Sequence, residues 1–358
     1  MAAPLNIFAG PGAINVIRKY GFSASLFRYF VGASGGPKWF ALAGLDRVLF
    51  PEFFPHQSRQ IQVIGSSAGA FRAACMVQKD ATAAINRLAT HYSTTVYSDK
   101  PTSTEITDKA KVLLDDVMGS NGVMEAITNE RFKLHIFVAK CRGLMKCHGR
   151  AGQTLGLSVS AAVNAVSRKQ LQRLYQRYVF SAPGSQLSVS DPYGLDTHFV
   201  ELGYNNLKDA LLASGAIPIV LDGVEHIVDA PDGVYRDGGI IDYHFDLAFG
   251  PEPGLVLYPH FYDAPIPGWF DKMLPKRHPH MSSYHNVVML VPSKEFIASL
   301  PFKKIPDRKD FEKMEAQQRI QYWQTVISES DRLGDYFMSL VETGDVEENI
   351  QPLRFKCR

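Results

Sequence analysis

Residues 62–72 read Gln-Val-Ile-Gly-Ser-Ser-Ala-Gly-Ala-Phe-Arg, and Ser67 stands at the centre of a Gly-x-Ser-x-Gly pattern within them. A short β-branched run ends at Gly65 and an alanine-rich run begins at Ala68, so the pattern falls between a strand and a helix. That context suits a nucleophilic serine, because the turn is strained and small neighbours let strand and helix approach closely. Ser67 would then face the positive end of a helix, where a developing oxyanion is favoured. Taken alone, the pattern is equally met by a Gly/Ser turn before an ordinary helix. Ser66, off the centre of the pattern, reads as a turn residue.

A serine nucleophile also needs a base for its proton and donors for the oxyanion. The run Leu26–Val31 reads as a buried strand, and Gly32-Ala33-Ser34-Gly35-Gly36-Pro37-Lys38-Trp39 follows it at once. Pro37 suits the first turn of a helix, and a glycine-rich turn there makes a cradle of backbone N–H groups; plain turn chemistry is the competing reading. In a doubly wound sheet the carboxyl ends of neighbouring strands open on one crevice, where this turn and the Ser67 turn can meet. For the base, Asp222, Asp232 and Asp237 each precede a glycine in the turn-rich segment 222–239. Only Asp237 has a second glycine, Gly239, and only it follows a strand-like Val234-Tyr235. The two glycines let its carboxylate approach another loop; Asp222 and Asp232 read as turn residues.

Four stretches, in order, resemble the motifs of patatin-like phospholipases, a family that includes the cytosolic phospholipase A2 type. Ser34-Gly35-Gly36-Pro37-Lys38 resembles the family's Gly-Gly-x-Arg/Lys oxyanion loop, and Gly65-Ser66-Ser67-Ala68-Gly69 its nucleophile elbow. Ala213-Ser214-Gly215-Ala216-Ile217-Pro218 is similar to its Ala-Ser-x-Ala-x-Pro segment, and Asp237-Gly238-Gly239 to its Asp-Gly-Gly/Ala motif. The likeness spans about Phe27 to Asp242. It implies a three-layer α/β/α fold with a mostly parallel central sheet, as a catalytic domain over 1–300. A helical C-terminal extension over 301–358 is expected to pack on the same domain.

The resemblance further implies a Ser67–Asp237 dyad without a histidine relay, acting on lipid or phospholipid esters with no cofactor and no metal. Gly35 and Gly36 would be the oxyanion donors, since Pro37 lacks an N–H, and Lys38 would support the loop or an anionic substrate. Two departures stand out: Ser34 where the family commonly has a glycine, and Trp39 where another often follows the basic residue. Two other readings stay open. One is an α/β-hydrolase triad of Ser67, Asp237 and one of His260, His278, His280 or His285. The other is a lipid-binding module on this scaffold with little turnover.

Around these residues the pattern predicts a helix from Pro37 to about Leu49, a strand over Ile61–Ile64, and helices to about Gln78 and over Ala81–Tyr92. Helical pieces follow over 104–128, broken at 119–122, then a strand over Phe132–Ala139 on which His135 reads as a packed or surface residue. A helix is expected over Ser158–Phe180, its basic second half (Arg168, Lys169, Arg173, Arg177) solvated or, as the lesser reading, facing an anionic membrane. Next come a strand near 196–202, a helix over Asn206–Ser214, and short strands at Leu255–Tyr258 and Val287–Val291. Pro265–His280 reads as an exposed loop or a lipid-surface contact, 307–343 as polar helix broken near Gly334, and the tail from Gly344 as loose. Strands alternating with helices from residue 26 onwards argue for a mostly parallel sheet with helices on both faces.

Composition excludes several classes. Hydrophobic residues at 46% and charged ones at 21% suit a globular chain, and a net charge of +2 argues against a dedicated nucleic-acid binder. Cys75, Cys141, Cys147 and Cys357 are scattered and read as thiols in a reducing compartment. Cys141, Cys147 and His148 lack a second close-spaced ligand pair, so no metal site is expected. The N-terminus has no early basic cluster and is broken by Pro4, Gly10, Pro11 and Gly12, and no apolar run approaches about 20 residues. A cytoplasmic location, with peripheral contact to membranes, is the expectation; oligomeric state has no signature here.

Overall fold

The computed structural model describes residues 2–54 and 59–355, so Cys357 lies outside the described residues. Its strands are β1 (Leu5–Ala9), β2 (Phe27–Gly32), β3 (Ile61–Ser66), β4 (Phe132–Cys141), β5 (Tyr175–Ser181), β6 (Ser188–Ser190) and β7 (Thr197–Glu201). They continue as β8 (Val224–Glu225), β9 (Val234–Asp237), β10 (Ala248–Gly250), β11 (Leu255–Pro259), β12 (Val287–Pro292) and β13 (Ile350–Pro352). The large sheet has the order β13-β1-β12-β11-β2-β3-β4-β5-β7, with β9 beside β4 and β8 beside β9; β6 and β10 form a separate ribbon. Its centre, β12-β11-β2-β3-β4, is parallel. Every residue of β2 and β3 is buried, as expected of strands covered on both faces by helices. The architecture is a three-layer α/β/α fold with a mixed, mostly parallel sheet.

The register of β4 decides where the site forms. β3 pairs with β4 as far as Ser66 opposite Phe137, and the next β4 residue, Val138, pairs with Asp237 of β9. β4 therefore outruns β3, and β9 runs antiparallel into the place β3 vacates. The carboxyl ends of β3 and β9 meet head to head.

Several sequence expectations change. The N-terminal segment forms β1, antiparallel to β12, and a helix over Pro11–Tyr20. Its glycines are contact positions, since a Cβ on Gly10 would lie 2.0 Å from the Tyr284 carbonyl oxygen. The tail is not loose either, because β13 pairs in parallel with β1. After Pro37 the chain runs as a 3-10 turn (Gly36–Leu42), a short α-helix (Ala43–Val48) and a π-turn (Leu49–Phe53) in place of one regular helix.

The helix expected over Ser158–Phe180 is instead a helix over Arg150–Val166, a 3-10 turn over Arg168–Arg173, and strand β5. Arg168 and Arg177 are not solvated: Arg168 pairs with Asp271 at 2.9 Å, and Arg177 with Asp242 and Asp191, each at 2.6 Å. Their acidic partners come from other segments, so a local pattern reads the arginines as a wet face. For the same reason 265–280 is more than a loop: it carries a turn over Trp269–Met273 with Asp271 buried. The C-terminal helices break at Ser330, between Ala316–Glu329 and Asp331–Thr343. Gly334 lies inside the second helix, where a Cβ would sit 2.6 Å from the Gly44 carbonyl oxygen, so it serves close helix packing.

Candidate active site

Ser67 sits between β3 and the helix Ala68–Met76 with φ +53° and ψ −130°, a conformation rarely adopted by a residue with a side chain. Contacts on both sides hold it there. A Cβ on Gly69 would lie 1.9 Å from the Gly32 carbonyl oxygen, and one on Gly65 would lie 2.4 Å from that of Gly69. The Ser67 N–H donates to Ser214 Oγ at 2.9 Å, and the Ser214 hydroxyl donates to the Phe137 carbonyl at 2.7 Å.

The Ser67 hydroxyl donates to Asp237 Oδ2 at 2.7 Å, across 170 positions of sequence. Asp237 Oδ1 accepts from the Gly239 N–H at 2.7 Å, and the Asp237 N–H donates to the Ala216 carbonyl at 3.1 Å. A Cβ on Gly238 would meet the Phe137 carbonyl oxygen at 2.2 Å, so the turn needs glycine to come this close. Burial pushes the Asp237 carboxyl up to about 6. The bonds from Ser67 and Gly239, and the charges of Arg308 and Lys272, offset only part of that. The segment 213–218, singled out in sequence without a role, ties the pair together: Ser214 holds the amide of one residue and Ala216 that of the other.

Gly36, at φ +56°, lines the same cleft as Ser67, while Gly35 packs so tightly against Phe261 that a Cβ would lie 2.5 Å from its ring. Ser34, which replaces a glycine of the resembling motif, shares its hydroxyl between Ser66 O and Ser66 Oγ, both at 3.1 Å, and so ties the two turns. Lys38 turns to Asp307 in an ion pair, and burial lowers its pKa to about 8. Its charge is engaged with the C-terminal segment.

The cleft holds about 800 Å³, with apolar walls that include Phe71, Leu113, Leu212 and Val220. Arg308 and Phe311 also line it. The sequence carried no signal for either, because they lie in the C-terminal segment beyond the reach of the motifs. A second cleft of similar volume, lined by Gln78, Arg87, Asp116 and Glu125 among others, shares no residue with the first.

Among the described residues no hydrogen bond joins His260, His278, His280 or His285 to Ser67 or Asp237. His260 is buried, and its Nδ1 accepts from the Tyr262 N–H at 2.9 Å; His280 pairs with Asp246 at 2.8 Å. His135 is packed inside, bonded to Ser181 and Gln62. No group of three or more His, Cys, Asp or Glu among the described residues is placed to hold a metal ion. Cys141 is buried, with its thiol pushed up to about 12. No helix among the described residues is long and apolar enough to cross a membrane.

Fold and site together define a class: a three-layer α/β/α chain presenting a hydrogen-bonded serine–aspartate pair at the carboxyl edge of its parallel strands. No family model matches the chain, and no curated protein matches it by sequence. Among solved structures, that of VipD from Legionella pneumophila is similar at a TM-score of 0.33 and 12% identity, over 72% of this chain and 53% of that one. The chain thus spans about half the length of the VipD chain it matches.

Proposed function

We propose that the protein is a serine acyl hydrolase that cleaves lipid ester bonds, phospholipid acyl esters among them, through a Ser67–Asp237 dyad. The observation that carries this reading is the 2.7 Å hydrogen bond from the Ser67 hydroxyl to a buried aspartate, at an apolar cleft. Ser67 Oγ attacks the ester carbonyl while its proton passes to Asp237 Oδ2. The backbone N–H groups of Gly35 and Gly36, with the amino end of the helix Ala68–Met76, stabilise the oxyanion. Asp237 then returns the proton to the leaving alcohol; water, deprotonated by the same carboxylate, attacks the acyl carbon, and Asp237 passes that proton to Ser67 Oγ as the acid leaves. A base poised near pH 6 accepts a proton more readily than an ordinary aspartate and is still ionised at neutral pH. Lys38, paired with Asp307, braces the oxyanion loop.

A panel of phospholipids, lysophospholipids and neutral glycerides, with products identified by mass, tests the reading on wild-type protein beside Ser67→Ala. Fatty acid release by the wild type alone is expected, together with fluorophosphonate labelling at Ser67. Full esterase activity in Ser67→Ala would refute the assignment. An unlabelled Ser67 in folded protein would point to a lipid-binding module with little turnover. No specific contact favours a histidine triad.

A further inference from the structure

The helix Arg150–Val166 is built inside out. Its buried stripe is Gln153, Gly156, Ser160 and Asn164, where an ordinary surface helix places its apolar residues. These polar groups are satisfied inward. Gln153 bonds His148 O and the Ile219 N–H, both at 2.7 Å; Ser160 meets the Tyr175 hydroxyl at 2.9 Å; Asn164 donates to Asp271 at 2.6 Å. Leu155, Val159 and Val166, one face at helical spacing, are 57%, 36% and 86% exposed. No charged residue follows Arg150 in this helix. Met273, 85% exposed, stands on the turn Trp269–Met273, which packs against this helix through Asn164 and Asp271.

Charge surrounds this face with one sign. Residues 131–190 contain ten Lys or Arg and no Asp or Glu, in a chain whose net charge is only +2. Arg168 and Arg177 are spent on internal ion pairs, but Arg142, Lys146, Arg150, Lys169 and Arg173 are exposed. The nearby Glu225 is paired with His148. The helix is tied through its buried side to a wall of the Ser67 cleft: Gln153 accepts from the Ile219 N–H, in the segment whose Ile217 and Val220 line it. Lys272, beside Met273, is close enough for its charge to act on Asp237.

We propose that the outward face of helix Arg150–Val166, together with Met273, docks on an anionic lipid bilayer. An uncharged apolar stripe with cations at its margins fits the boundary between acyl chains and acidic head groups. A second copy of the chain fits worse, because it would set these cations against each other. The inference stands on exposure and charge, independently of the hydrolase reading.

Flotation of the Ser67→Ala protein with phosphatidylcholine vesicles, with and without phosphatidylserine, tests it without degrading the vesicles. Binding to the phosphatidylserine vesicles is expected. Val166→Asp with Met273→Asp should weaken it by about tenfold or more. Lys169→Glu with Arg173→Glu should weaken it by about fivefold per cation, on anionic vesicles only. Melting temperatures equal to that of the parent will show that these exposed positions leave the fold intact. Absence of binding by the parent, or binding by both double variants as strong as the parent's, would overturn the proposal. So would a parent dimer that Val166→Asp converts to monomer without vesicle binding, which assigns the face to a second copy.

Discussion

Asp237 and Asp242 are buried carboxylates five positions apart on one turn, and they are treated in opposite ways. Asp242 receives Arg177 through two hydrogen bonds, at 2.6 and 2.8 Å, and the same guanidinium reaches Asp191 at 2.6 Å. Its charge braces the turn against β5. Asp237 has no cation in hydrogen-bonding contact among the described residues: its side chain bonds to the Ser67 hydroxyl and the Gly239 amide, with Arg308 and Lys272 acting only from a distance. Burial raises both carboxyls above the usual aspartate range; what differs is the partner, a guanidinium on Asp242 against a hydroxyl and an amide on Asp237. The two residues teach that burial alone does not separate a carboxylate that braces the fold from one that could serve as the base of the proposed reaction; the partner does.

The contrast breaks most openly at Asp237→Asn. Turnover of a soluble ester should fall on the order of 10³-fold, while the urea midpoint at pH 8 holds or rises. The direction follows from the pKa: lifting the carboxyl from 3.8 to about 6 means the ionised form costs roughly 3 kcal/mol in the folded state above pH 6. A destabilised Asp237→Asn protein that stays active would erase the distinction. Next in size is Arg177→Met, which leaves Asp242 and Asp191 without their guanidinium and should cost about 3–5 kcal/mol in urea unfolding. An unchanged midpoint there would show that the network does not brace the fold.

Acidity sharpens the comparison further. Protonated Asp237 cannot accept the Ser67 proton, so the rate on a soluble ester should drop about tenfold per pH unit below about 6 and level off above it. This same group acts on stability in the reverse sense. Its contribution is fully present below pH 3.8 and is lost as pH rises through about 6. A pH-independent rate between 4 and 7 would remove Asp237 as the base. The smallest effect is expected at Ser214→Ala, which orphans the buried Ser67 N–H and should lower kcat by about tenfold with KM little changed. A change in KM alone would show that Ser214 serves binding and not the pose of Ser67.

The sequence singled out Ser67 and Asp237, and the structure places their oxygens 2.7 Å apart. It was legible there because the causes are local: glycines at 65 and 69 admit a tight strand–helix turn, and Gly238 admits a carbonyl at close range. The parallel core was legible from strands alternating with helices from residue 26 onwards, among them apolar runs such as Val287–Val291. Arg177 was misread as solvated because its partners, Asp191 and Asp242, stand on separate loops. Arg308 and Phe311 gave no signal, since nothing near them in the chain indicates that they border a cleft.

By itself, then, the order of residues determined which backbone turns were possible and which side chains had chemistry to offer, because steric freedom and hydrophobic periodicity act over a few neighbours. Tertiary structure alone decided that β4 outruns β3 so that β9 can bring Asp237 to Ser67. It also decided which buried charges find a cation, and that one helix turns its apolar side outward. Register and charge pairing are settled between segments far apart in the chain, and no local pattern carries that information.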